Sequence, residues 1–111
     1  MDDCLFCKIV NGEIPCSKVY EDDMVLAFND INPAAPSHVL IIPKKHFPNF
    51  VSADDEYILA IRNAVKIITA QLGLDEKGYR LVFNTGDDGG QTVHHLHCHI
   101  LGGRFMEWPP G

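Results

Sequence analysis

No apolar run in this chain approaches the roughly 20 residues that a membrane-spanning helix requires, so no membrane partner is expected. An excess of positive charge is missing as well. The formal net charge is −6, which argues against a nucleic-acid polymer, because such binding depends on clustered Lys and Arg facing phosphates. Cysteine is too sparse for a disulfide scaffold: Cys4 and Cys7 lie close together, Cys16 and Cys98 stand apart, and the dense framework of a secreted mini-protein is absent. Reduced thiols, free or metal-bound, are expected. There is no internal repeat, low-complexity tract or linker. The start Met1-Asp2-Asp3 is acidic where a signal peptide is basic, which makes the cytoplasm the expected location, with the nucleus added for a eukaryotic source.

What is present fits one globular domain over residues 1–111. The chain is 46% hydrophobic and 22% charged, ordinary values for a folded domain, and its length permits a sizeable but shallow core. Cys4 to Val10 closes at Asn11-Gly12 and reads as a short helix or turn with Leu5, Phe6 and Ile9 on its apolar face. Lys18–Glu21 and Met24–Asn29 read as a β-hairpin about Asp22-Asp23. His38-Val-Leu-Ile-Ile-Pro43 is a β-branched run bounded by prolines, expected as a central strand.

From Ser52 the period changes. Ser52 with Asp55 matches a capping box, and Ile58, Ile61, Val65, Ile68 and Leu72 follow at helical spacing, predicting an amphipathic helix that ends at Gly73. Leu59, Ala60, Ala64 and Ile67 make its apolar face wider than one sheet needs, which points to a second subunit. Tyr79–Asn84 and His95–Leu101 return to β character around a Gly/Asp turn, and Arg104–Gly111 is expected to be irregular. Strands, a long helix and a final strand pair predict an α+β fold with a mainly antiparallel sheet.

Side chains alternate along a strand, so His95, His97 and His99 are expected on one face and Leu96, Cys98 and Ile100 on the other. Same-face neighbours lie ~6.5–7 Å apart, so one ring can attack a phosphorus while the next reaches that phosphate's oxygens. Crowding disfavours protonating all three, keeping one neutral and nucleophilic near pH 7. A solvated polar face is the plain alternative. Upstream, Asn84-Thr-Gly-Asp-Asp-Gly-Gly-Gln-Thr92 reads as a phosphate-binding turn whose backbone N–H groups converge, with Asn84 and Thr92 as added donors; an ordinary turn reads the same way. It lacks the Gly-Lys-Ser/Thr ending of a P-loop. Asp30, at a strand end, suits either ribose hydroxyls or a local turn. Cys4-x-x-Cys7 is half of a tetrahedral zinc site, which His46 and His95 would complete; two buried thiols read the same way. His38 and His94 receive no role.

His95-Leu-His-Cys-His-Ile-Leu101 resembles the His-φ-His-φ-His-φ-φ motif of the histidine triad (HIT) family. Cys4-Leu-Phe-Cys-Lys-Ile, Phe28-Asn-Asp-Ile, Ile42-Pro-Lys-Lys-His46 and the Asn84–Gln91 turn extend the likeness. Gly102-Gly-Arg and Trp108-Pro-Pro-Gly point to its Hint branch, the adenosine phosphoramidases. The resemblance implies five strands, one long and one short N-terminal helix, a homodimer with a ten-stranded sheet, and an AMP-type nucleotide in each subunit. It implies a purine nucleoside phosphoramidase with His97 as nucleophile, forming a nucleotidyl-histidine and expelling an amine. Its alternatives are a dinucleoside polyphosphate hydrolase and a nucleotide-binding interaction protein whose catalysis is incidental. His99, Thr92 and His95 join His97 in the catalytic set. Asn84, Gly90, Gln91, Thr92 and Val93 gather with His97 and His99 around the phosphate, Asp30 takes the ribose, and Leu5, Phe6, Ile9, Phe28 and Ile31 form the base pocket. Trp108 would reach the neighbouring subunit. The chemistry needs no cofactor. His95 and His46 form a hydrogen-bonded pair in some relatives and, with the paired cysteines, a structural zinc site in others.

Overall fold

The computed structural model describes residues 3–111. Helix α1 (Leu5–Val10) is followed by strands β1 (Lys18–Glu21), β2 (Val25–Asn29) and β3 (Ser37–Pro43). Then come α2 (Asp55–Gln71), α3 (Leu74–Lys77), β4 (Arg80–Val82) and β5 (Cys98–Gly102). The five strands form one sheet in the order β1-β2-β3-β5-β4, antiparallel throughout. This is the expected α+β architecture with β3 at its centre. Among the described residues no helix is long and apolar enough to cross a membrane.

The two faces of the sheet are covered by different helices. Val25, Ala27, Val39, Ile41, Cys98 and Ile100 pack against Ala60, Ile61, Ala64, Val65 and Ile68 of α2. The alternate set, Leu26, Phe28, Leu40 and Ile42, packs against Phe6 of α1. Burial on both faces explains why β2 and β3 read as continuous apolar runs rather than alternating ones. The β1–β2 turn is closed by Asp22, whose Oδ1 accepts the Met24 and Val25 N–H groups at 2.8 and 2.9 Å.

Two expectations are corrected and one is extended. Ser52 does not cap α2. The N-cap is Asp54, without a side-chain cap bond, while Ser52 closes a tight reciprocal turn with Asn49, since a hydroxyl satisfies a nearby turn as readily as a helix end. Helix α2 ends before Gly73 as expected, but Gly73, in a left-handed conformation (φ 69°), redirects the chain into the short helix α3, which the sequence did not announce. The last strand starts at Cys98 rather than His95. Its ladder with β3 reaches Ile41↔Cys98; Pro43, two residues further, has no N–H to pair and its carbonyl is taken by the His95 ring, 2.9 Å away.

Candidate active site

His95 lies in a bend and His97 in the irregular stretch that leads into β5, and only His99 is in the strand. The expected alternation survives, because Leu96, Cys98 and Ile100 all join the core on the α2 side. On the other side the His97 and His99 ring centroids are 5.0 Å apart, and the Phe6 edge packs against His97 at 5.1 Å and His95 at 5.9 Å.

Hydrogen bonds to carbonyls fix where each ring carries its proton, since a carbonyl only accepts. His97 Nδ1–H donates to the His95 carbonyl at 2.8 Å, leaving the lone pair on Nε2. Burial holds His97 below the ordinary imidazole range, against the pull of the His95 carbonyl and Asp30, so the ring is neutral at pH 7 with an available lone pair on Nε2.

His99 is set the opposite way. The Ala34 N–H donates to His38 Nδ1 at 3.0 Å, so the His38 proton is on Nε2, which donates to His99 Nδ1 at 2.9 Å. His99 therefore carries its proton on Nε2, and that atom is buried without a hydrogen-bond partner among the described residues. An orphaned buried donor costs about 1–3 kcal/mol, a cost that an anion at this position would remove. Asp30 Oδ2 lies 3.5 Å from His38 Nε2. Asp30, His38 and His99 are close enough for a cation, but the proton on His38 Nε2, donated to His99, makes the two histidines a hydrogen-bonded pair with Asp30 beside it rather than a ligand set.

Burial, followed by the neighbouring His97 and His38, pushes His99 down to about 4. An unfolded histidine titrates near 6.5, so between about pH 4 and 6.5 the unfolded chain binds the extra proton and stability falls as the pH falls. Above this window the contribution is intact. Urea unfolding at pH 7, 5.5 and 4.5 should give a slope steeper in the native protein than in His99→Asn, by up to about 1.4 kcal/mol per pH unit. Identical slopes would contradict the assignment.

Of the residues expected to form a base pocket, Phe6, Phe28 and Ile9 meet in the cluster on the α1 face, with Phe6 and Phe28 edge to face at 5.7 Å. Leu5 is exposed and Ile31 is 91% exposed. Asp30 Oδ1 accepts the Asn32 N–H at 2.8 Å, so the local turn is one of its roles. Trp108 is exposed at 79% beneath the Arg80 guanidinium, 5.9 Å from its ring centre.

The glycine turn departs from expectation. The N–H groups of Gly86, Gly90 and Gln91 point inward, to Gln91 Oε1, the Asp87 carbonyl and the Gly86 carbonyl. The buried Gln91 amide also donates to the Pro48 and Val93 carbonyls at 2.7 and 3.1 Å. Gly90 and Gln91 therefore shape the turn, as does Gly89, where a Cβ would meet the Thr85 carbonyl at 2.3 Å. Thr92 is exposed, while Val93 and Asn84 are half-buried. His38, which sequence reasoning left without a role, is a full partner of His99. Its signal was the two-residue spacing that puts it on the face of Leu40 and Ile42.

On the other side of His97 is a four-donor cluster of Cys4, Cys7, His46 and His95. Because His95 Nε2–H donates to Pro43, Nδ1 presents a lone pair to the cluster. It lies 3.3 Å from Cys4 Sγ, 3.5 Å from Cys7 Sγ and 3.1 Å from His46 Nδ1, and Cys7 Sγ is 3.4 Å from His46 Nδ1. Tetrahedral zinc with its usual bond lengths needs sulfur–nitrogen edges of about 3.5 Å and a nitrogen–nitrogen edge of about 3.3 Å. The donor types and spacing fit zinc, and the Pro43 carbonyl is the outer partner that orients a ligating histidine. With four protein donors and no open position, such a site is structural.

Comparison with known proteins agrees with this geometry. The HIT domain model matches residues 11–106. A HIT family hydrolase from Legionella pneumophila has a similar structure, 53% identical, with a TM-score of 0.94 over 98% of this chain and 100% of that one. A histidine triad nucleotide-binding protein from Candida albicans is 41% identical, with a TM-score of 0.85 over 88% of this chain and 73% of that one. A 14 kDa zinc-binding protein of Zea mays is 47% identical over 96% of this chain and 87% of its own length. From the paired imidazoles to the sheet that carries them, the molecule has one consistent relationship: the chain belongs to the histidine triad (HIT) family.

Proposed function

We propose that this protein is a purine nucleoside phosphoramidase, hydrolysing the P–N bond of AMP-amine conjugates through a nucleotidyl intermediate on His97. The observation that carries the reading is the opposite proton placement on two adjacent rings: His97 keeps a lone pair on Nε2, and His99 keeps a buried N–H there. A lone pair beside a donor suits attack on phosphorus while a phosphate oxygen is held. His97 Nε2 forms a P–N bond as the substrate's own P–N bond breaks, and the departing nitrogen takes a proton from water, leaving as the amine. The imidazolium so formed is stabilised by the His95 carbonyl on its Nδ1–H. Water then attacks phosphorus, releasing AMP and restoring His97.

In this reading Thr92, Asn84 and Val93 assist His99 around the phosphate, Asp30 accepts from ribose hydroxyls, and the purine lies over Phe6, Ile9 and Phe28 with Leu5 and Ile31 at the rim. The hydrolase and nucleotide-binding relatives support it. Zinc held by Cys4, Cys7, His46 and His95 supplies rigidity, in keeping with the maize zinc-binding relative. Exposed Phe50 and Leu81, lining a groove of about 620 Å³ along α2 and β4, suit a second copy of the chain, giving a homodimer towards which Trp108 extends.

Quenching the protein with an adenosine phosphoramidate and mapping it by mass spectrometry should find the adenylyl group on His97. Adenylylation elsewhere, or none under single turnover, would overturn the mechanism. Faster turnover of a diadenosine polyphosphate at equal concentration would reassign the leaving group.

A further inference from the structure

The His38–His99 pair depends on a loop that has little means of holding itself. Between Asn32 and Ser37 the sequence is Pro-Ala-Ala-Pro, so only Ala34 and Ala35 carry backbone N–H groups. The Ala34 N–H is the donor that fixes the His38 proton, and it needs a brace from outside the loop.

The brace is the turn after β5. Gly103, at φ 91°, lies so close to the loop that a Cβ would meet Pro36 Cβ at 2.8 Å, and a Cβ on Gly102 would meet Leu74 at 2.7 Å. From this seat Arg104 donates Nη2–H and Nε–H to the Ala34 carbonyl at 2.9 and 3.3 Å, with Nη1–H on its neighbour's Phe105 carbonyl at 3.0 Å. Ala34 is thus gripped on its carbonyl by Arg104 and spends its N–H on His38.

We propose that Arg104 is a positioning residue for the site, holding Ala34 where its N–H selects the protonation pattern of His38 and His99. Without that N–H, His38 is free to carry its proton on Nδ1 and accept at Nε2. His99 must then donate from Nδ1, and its Nε2 turns from a donor into a lone pair facing the anion. A single charged arginine outside the pocket therefore governs whether the pocket attracts or repels phosphate. The inference rests on the proposed phosphate-binding role of His99.

The test is nitrogen NMR of the full-length protein labelled in histidine, comparing native, Arg104→Ala and Arg104→Lys chains. The native spectrum should show His99 protonated at Nε2 and bare at Nδ1. Arg104→Ala should populate the reversed pattern at His38 and His99 while the His95 signals stay in place as a control for folding. Arg104→Lys, which keeps one donor for the carbonyl, should restore much of the native pattern. AMP affinity should fall about tenfold in Arg104→Ala, the equivalent of one lost hydrogen bond, with adenosine affinity unchanged. Unaltered His38 and His99 signals in Arg104→Ala would overturn the proposal. Reversed signals with an unchanged AMP-to-adenosine ratio would uphold the positioning role and count against His99 as the phosphate donor.

Discussion

Replacing His97 with alanine is expected to reduce turnover of an adenosine phosphoramidate by a factor on the order of 10⁴ or more, the scale seen when a covalent nucleophile is removed. AMP affinity should change by only a few-fold. The two expectations separate because the proposed roles differ: His99 Nε2, buried and unpartnered among the described residues, would hold the anion, whereas the His97 lone pair would matter only once the new bond begins to form. His97→Ala also removes a ring that packs against Phe6, so some loss of stability accompanies the variant, and thermal unfolding should be measured beside it. The kinetic signature is decisive: kcat falls with little change in ligand affinity. Wild-type turnover by a folded His97→Ala protein would remove the nucleophile assignment. In cells, rescue of a phenotype by this variant as well as by the native chain would favour an interaction role over catalysis.

How far the site could be read beforehand depended on whether a residue's role is local. The alternation of His97 and His99 with Leu96, Cys98 and Ile100 is a local pattern, and it survived even though the strand proved shorter than expected. The strand boundary was lost because it depends on Pro43, which is distant in sequence and opposite in space. Gln91 and the turn glycines looked like anion binders because a glycine-rich segment does not reveal which way its N–H groups point. In the fold they point inward. His38 was missed for a related reason: its partner His99 is 61 residues away, and only the β3–β5 register brings them together. Cys4 and Cys7 announced half a metal site by spacing, His46 and His95 were named as its candidate other half, and the fold brings all four donors together.

Zinc removal should therefore have the second large effect, on stability more than on chemistry. A site loaded at about 1,000 times its dissociation constant adds about 4 kcal/mol of stability, which in a domain of this size is roughly 15 to 30 °C in melting temperature. Chelation should lower the melting temperature on this scale, and Cys4→Ser should abolish the response. Cys4 also caps α1 by accepting the Cys7 N–H at 3.3 Å, and a serine keeps that capability, so the variant isolates loss of the metal from loss of the cap. The damage should be local. The sheet and α2 pack without the cluster, whereas α1 begins between its two cysteines and carries Phe6 onto the histidines, so amide exchange should quicken in α1 far more than in α2. Burial and the neighbouring Cys4 push the metal-free Cys7 thiol up to about 11, and a thiol must lose its proton to bind zinc. Loading should consequently release protons and weaken steeply as pH falls from 8 towards 6. A melting temperature indifferent to chelator, zinc and Cys4→Ser alike would mean that these four side chains pack as an ordinary polar cluster.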